Sequence, residues 1–159
     1  ALSGGCLMDM HIHDTDMIQY LFGKPGKVSA LGRNVLPGSG FDIVSTHYHY
    51  PDGKVSNAQA DWTLAGNFGF HMGYRVNFER GSLVFDGAQV KVHPNDKPGY
   101  IAELPKDNGY YRELVYFLDA VTHDKEIVQC SPESTAVSLQ IIEAEWQSAG
   151  KEGEWISIP

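Results

Sequence analysis

The residues that decide the fold class run from Asp42 to Leu64 and read DIVSTHYHYPDGKVSNAQADWTL. Their first part is rich in Val, Thr and Tyr, and Pro51-Asp52-Gly53 is typical of a tight turn. The segment therefore predicts an antiparallel hairpin with strands at Asp42 to Tyr50 and Val55 to Leu64. Similar composition predicts three further strands, at Val28 to Leu36, Phe70 to Glu79 and Ser82 to Asp86.

Helices are predicted on both sides of this strand-rich region. Leu7 to Phe22 places Leu7, Met10, Met17 and Leu21 on one helical face and is followed by Gly23, a common helix stop. The remaining predicted elements are a loop from Pro94 to Tyr110, a helix from Tyr111 to Val121, a helix capped by Ser131, and a short strand from Glu154 to Ile158. Together they predict one α+β domain with an open, mainly antiparallel sheet and helices packed on one face.

Composition excludes two classes of protein. The chain has 12 Lys and Arg against 20 Asp and Glu, a net charge of −8, so it lacks the clustered cations that bind nucleic acid. No run approaches the roughly 18–20 apolar residues that span a bilayer. Cys6 and Cys130 are few enough for a reducing compartment, which predicts free thiols and a cytoplasmic location. The first residues, ALSGGCL, resemble neither a start site nor a signal peptide, so we expect a longer parent chain.

The densest polar segment runs from Asp9 to Asp16. On a continuous helix Asp9 and His13 are four residues apart and share one face. The imidazole could accept a proton while the carboxylate orients the acceptor, although the same spacing also fits a solvated helix surface. His11 and His13 would lie about 200° apart, which makes them poor ligands for one metal ion.

His47 and His49 raise a second hypothesis, a metal site. On a strand the two side chains point to the same side, yet no third ligand follows at a recognisable spacing, so a polar sheet face is the other interpretation. The sequence contains no G-x-G-x-x-G or Walker loop for a nucleotide.

The segment from Gly4 to Pro25 resembles the start of the second domain of the Gfo/Idh/MocA oxidoreductases, the relatives of glucose–fructose oxidoreductase and inositol dehydrogenase. The family pattern is a glycine-rich lead, then D-x-x-x-H-x-x-D, then a short apolar run and Gly. Asp9, His13 and Asp16 match it, whereas His11 stands where the family commonly has Gly. The resemblance continues through Arg80 to Asp86, Glu113 to Val121 and Ser131 to Glu133.

This resemblance implies a two-domain dehydrogenase of which residues 1–159 are the C-terminal domain. In the family an N-terminal Rossmann domain binds NAD or NADP, and the second domain forms the substrate side and assembles homo-oligomers through its open sheet. The expected substrate is a sugar, a polyol or a derivative, oxidised by hydride transfer at a carbinol carbon. Asp9 and His13 would be the catalytic and substrate-binding pair, and Phe70 and His71 would contact substrate.

Two consequences and two alternatives accompany that expectation. The isolated chain should bind no dinucleotide and should be inactive, because hydride transfer requires the cofactor. The first alternative is a sugar-sensing or dimerisation module in which Asp9 and His13 have no catalytic role. The second alternative is a metal-binding protein whose ligands include His47 and His49.

Overall fold

The computed structural model describes residues 3–159, which divide into two compact units. The first unit combines the residues up to Ala65 with Ile127–Pro159, and the second is Gly66–Glu126. The helices are α1 (Gly5–Asp9), α2 (His11–Phe22), α3 (Gly109–His123) and α4 (Pro132–Gly150). The strands are β1 (Lys27–Arg33), β2 (Ile43–His49), β3 (Val55–Asp61), β4 (Tyr74–Phe78), β5 (Gly81–Phe85), β6 (Val90–Pro94), β7 (Tyr100–Ile101) and β8 (Ile156–Ser157).

The predicted α+β class is confirmed, with strands in two antiparallel sheets rather than one. The first sheet has the order β3-β2-β1-β8 and the second the order β4-β5-β6-β7. The predicted hairpin around Pro51-Asp52-Gly53 joins β2 to β3, with His49 opposite Val55 and Ile43 opposite Asp61. Among the described residues, no helix has the length and apolar character needed to cross a membrane.

The first sheet has helices on one face and an exposed opposite face. Val28 of β1 and Tyr48 of β2 are buried in a cluster with Ile18 of α2 and Ile141 of α4. His47, the neighbour of Tyr48 on the other side of the pleat, is exposed. The core of this unit is therefore the layer between the sheet and the helices.

Helix α4 begins where the sequence predicts it. The Ser131 side chain accepts a hydrogen bond from the Ser134 backbone N–H at 3.2 Å, and Pro132 is the first helical residue. Ser148 fixes the other end to the sheet, because its hydroxyl accepts a hydrogen bond from the Ala30 N–H at 2.8 Å. The buried face of α4 also contains the acidic residue Glu145.

The helix predicted from Leu7 to Phe22 is wrong in two respects. It is broken at Met10, which ends α1 and precedes α2 with φ −107° and ψ −50°. The buried residues of α2 are His11, Thr15 and Ile18, whereas Met17 and Leu21, placed by the sequence on the apolar face, are exposed. The apolar pattern fails here because the buried face of α2 is largely polar.

The second unit is a four-stranded meander followed by α3. The predicted strand from Phe70 begins only at Tyr74, and β6 and β7 are additional strands, β7 lying inside the predicted loop. Tyr74, Val76 and Phe78 alternate onto one face of the sheet. Helix α3 begins at a cap, where Asn108 Oδ1 accepts a hydrogen bond from the Tyr111 N–H at 2.9 Å.

Candidate functional site

Asp9 and His13 lie on either side of the break between α1 and α2. Asp9 is the last residue of α1, His13 belongs to the first turn of α2, and both side chains are exposed. Neither side chain forms a hydrogen bond or ion pair with another residue in the described part of the chain. Their relative position is set by the turn at Met10, whose carbonyl accepts a hydrogen bond from the His13 N–H at 3.1 Å.

His11 lies between these two residues and is completely buried. Its Nδ1 atom is 3.2 Å from Asp14 Oδ2, and its Nε2 atom is 3.1 Å from Glu145 Oε2 on α4. The prediction that His11 and His13 face different sides is confirmed by their burial and exposure. His11 is therefore part of the interior, while its neighbours in the motif are open to solvent.

Glu145 accepts hydrogen bonds at both carboxylate oxygens. The Thr15 hydroxyl donates to Oε1 at 3.0 Å and the Thr46 hydroxyl donates to Oε2 at 3.2 Å. The Tyr48 hydroxyl lies 3.1 Å from Thr15 Oγ1 and 3.4 Å from His11 Nε2. We call these five side chains the His11–Glu145 cluster; they join α2, β2 and α4, and all but Tyr48, which is 2% exposed, have no exposed surface.

The cluster favours a charged His11. Burial by itself lowers the pKa of His11, but the contacts with the Asp14 and Glu145 carboxylates outweigh it and raise the pKa to about 9. Burial and the nearby Glu145 charge raise the pKa of Tyr48 well above its ordinary value. Near neutral pH the interior of the first unit therefore holds an imidazolium paired with Glu145 and a neutral phenol.

The other candidate residues have different surroundings. Asp16, the third residue of the motif, accepts a hydrogen bond from the Ser138 hydroxyl at 2.6 Å and so connects α2 to α4.

His47 and His49 are exposed on the outer face of β2. Within residues 3–159 no group of three or more His, Cys, Asp or Glu is arranged to hold a metal ion, and both cysteines are free.

Phe70 and His71 belong to the second unit, in the segment that precedes β4. Both are exposed, and the Phe70 side chain retains 79% of its accessible surface. An aromatic ring with this exposure is available to a ligand or to another protein surface.

The sequence analysis did not identify Glu145 and did not predict that His11 is buried. One signal was available, because Glu145 follows Ile141 by four residues and precedes Ser148 by three. It therefore shares a helical face with an apolar and a small residue, and a carboxylate buried on that face needs a partner. The sequence does not identify that partner.

Comparison with known proteins gives a family and a fold. The family model described as GFO/IDH/MocA C-terminal domain matches residues 1–84. No curated protein matches the chain. An oxidoreductase from Thermotoga maritima has a TM-score of 0.78 and 22% identity over 98% of this chain and 44% of its own.

Two further structures share this fold. Levoglucosan dehydrogenase in complex with NADH and levoglucosan has a TM-score of 0.80 and 22% identity over 98% of this chain and 51% of its own. The WlbA dehydrogenase from Bordetella pertussis in complex with NADH and UDP-GlcNAcA has a TM-score of 0.78 and 16% identity over 99% of this chain and 46% of its own. The chain thus spans about half the length of the structures it matches.

The raised pKa of His11 predicts a pH-dependent stability. Folding raises the pKa of His11 from 6.5 to about 9, so protonation of His11 stabilises the folded chain. This contribution to the free energy of unfolding is complete below pH 6.5 and is lost as the pH rises through about 9. The free energy of unfolding, measured by urea denaturation, should fall by up to about 3 kcal/mol across this window. His11→Gln should remove the fall, and His47→Gln, at an exposed histidine, should retain it. An unchanged slope in His11→Gln would contradict the prediction.

Proposed function

The chain belongs to the GFO/IDH/MocA C-terminal domain family, and from this we propose that it is the substrate-side domain of an NAD(P)-dependent dehydrogenase that oxidises a sugar, polyol or related carbinol. Residues 1–159 would work with a cofactor domain elsewhere in the same protein. The observation that carries the proposal is the exposed pair Asp9 and His13, held on either side of a buried His11. The NADH and levoglucosan bound to a dehydrogenase of the same fold support the substrate class.

The proposed chemistry assigns proton transfer to this chain. His13, free of other polar partners among the described residues, would accept the proton of the substrate hydroxyl. Asp9 would orient the substrate by accepting hydrogen bonds from neighbouring hydroxyls. A bound nicotinamide supplies the acceptor for the hydride that leaves the carbinol carbon. Since the sequence has no glycine-rich phosphate loop, we assign the dinucleotide to the other domain.

The exposed face of α2 supports the presence of that second domain. His13, Met17 and Tyr20 lie on one side of the helix, and the two apolar side chains are 47% and 70% exposed. Apolar side chains grouped around a polar candidate site are typical of a surface that another domain covers. We propose that the cofactor domain covers this face and encloses the substrate beside His13.

We propose that Phe70 and His71, which belong to the second unit, contact substrate. Their exposure leaves a flat apolar ring and an imidazole free to contact a polyhydroxylated ligand. Carbohydrate binding uses both kinds of group, since the ring covers C–H surfaces and the imidazole hydrogen-bonds hydroxyls. The two free cysteines are consistent with the cytoplasmic location that we propose.

We further propose that the second sheet assembles homo-oligomers. One face carries Tyr74, Val76 and Phe78 of β4, and the register places Leu83 and Val92 beside them. Tyr74 and Phe78 are 39% and 51% exposed, so this apolar face is not covered within its own unit. A second copy of the chain could bury it.

The proposed roles of Asp9 and His13 predict a loss of turnover without a loss of folding. In the full-length protein His13→Ala and Asp9→Asn should each lower kcat/KM for the best sugar or polyol by about 10²–10⁴-fold, the usual range for a lost acid or base. Both residues are exposed, so the melting temperature should stay unchanged. His47→Ala, at an exposed histidine of β2, is the matched control and should retain full activity. Wild-type turnover in a folded His13→Ala enzyme would refute the assignment.

The assignment of the dinucleotide to a separate domain predicts the binding behaviour of the chain. A titration of residues 1–159 with NADH, followed by nicotinamide fluorescence, should show no saturable change. The full-length protein in the same titration should bind the dinucleotide. Saturable binding to the isolated chain would instead mean that it holds a nucleotide site of its own.

The proposed oligomer surface predicts that one charge on the apolar face dissociates the assembly. Phe78→Asp places a carboxylate on that face, and Asn77→Asp places the same group on the opposite face. Sedimentation velocity of the full-length protein should show a smaller species only for Phe78→Asp, because burying an unpaired charge opposes association. An unchanged mass for Phe78→Asp would exclude this surface.

A further inference from the structure

The junction between α1 and α2 has no side-chain cap of its own. Helix α2 begins after Met10, whose side chain accepts no hydrogen bond from the first turn, and no side chain caps the start of α1. At the junction itself the backbone contacts are the two hydrogen bonds made by the Met10 N–H and carbonyl. Something else must fix the turn that carries Asp9 and His13.

His11 supplies the fixed point. It is the first residue of α2, two residues from Asp9 and two from His13, and its side chain is wholly buried. Of its two carboxylate partners, Asp14 is 46% exposed and lies on the same helix, whereas Glu145 is fully buried on α4. The contact with Glu145 therefore ties the start of α2 to another element.

Three elements place polar groups against the His11 imidazole. These groups are Asp14 of α2, Thr46 and Tyr48 of β2, and Glu145 of α4. Thr15 and Thr46 donate to Glu145 and hold its two oxygens in place. Glu145 therefore has partners other than His11 at both oxygens, so the carboxylate can orient the imidazole.

We propose that Glu145 and His11 are positioning residues for the reaction: their buried ion pair holds the turn at Met10 and so sets the separation and direction of Asp9 and His13. This inference rests on the proposed function, because it assigns the pair Asp9 and His13 a reaction to be positioned for. A purely stabilising role would not require charge, since well-packed apolar residues often replace a buried ion pair without loss of stability. A charged hydrogen bond also fixes the orientation of the two side chains, which an apolar contact does not do.

The test uses the full-length protein with Glu145→Gln, which keeps the shape of the side chain and removes its charge. Backbone hydrogen exchange in the peptide that spans Asp9 to His13 should become about tenfold faster, because the junction opens locally more often. Against the best substrate kcat should fall about tenfold while KM stays within about twofold, because misplaced groups slow the chemical step. Glu143→Gln, at an exposed glutamate of the same helix, is the matched control and should match the wild type in both measurements.

A neutral pair gives an independent check. His11→Gln combined with Glu145→Gln allows an amide–amide hydrogen bond in place of the ion pair and should recover part of the lost kcat. If Glu145→Gln does not fold, Thr46→Val removes one of the two hydroxyl donors to Glu145 and should give smaller changes in the same direction. Unchanged exchange in whichever of these variants folds would overturn the proposal.

The two proposals fail in different ways. Faster exchange with unchanged kcat would make the pair structural only and would overturn the positioning role. If the wild-type protein oxidises no sugar or polyol, the proposed function is wrong. The exchange measurement then tests only whether the ion pair of His11 and Glu145 holds the junction.

Discussion

A charge pair enclosed in the interior constrains the first unit more tightly than apolar packing could. The Glu145 carboxylate and the His11 imidazolium are both removed from water, so each needs partners in fixed directions. Thr15 and Thr46 meet that need for Glu145, and in doing so they fix the spacing of α2, β2 and α4. A change at one of these positions leaves a polar group of another unsatisfied, which makes the cluster a single structural element.

The sequence predicted those elements whose signals are local. Pro51-Asp52-Gly53 identified the hairpin, and Ser131-Pro132 identified the start of α4, because turns and caps are decided by a few adjacent residues. For α2, however, the apolar pattern of the sequence predicted the wrong buried face. Apolar periodicity assumes that buried residues are apolar, and the buried His11 and Thr15 are tolerated only because Glu145 reaches them from the other end of the chain.

In the candidate site, too, the sequence predicted the local features and not those that depend on distant contacts. Asp9 and His13 were identified from a motif, and their exposure in the structure is compatible with the role that the motif implies. The break at Met10 and the support from Glu145 were beyond sequence reasoning, since both depend on contacts between distant segments. Composition predicts a strand that starts at Phe70, but the pairing with β5 begins only at Tyr74. Pattern alone does not reveal where a strand loses its partner.

The first unit is assembled from both ends of the chain, with Gly66–Glu126 inserted between β3 and α4. During synthesis, α2 and β1 to β3 leave the ribosome long before α4 and β8 exist. Until then Thr15 and Thr46 lack the Glu145 carboxylate, His11 has only Asp14 as a charged partner, and the edge of β1 that will receive β8 stays open. Any product that ends before Glu145 therefore leaves these polar groups without their carboxylate and a strand edge unpaired, and chains that cannot complete their fold are removed by chaperones and proteases.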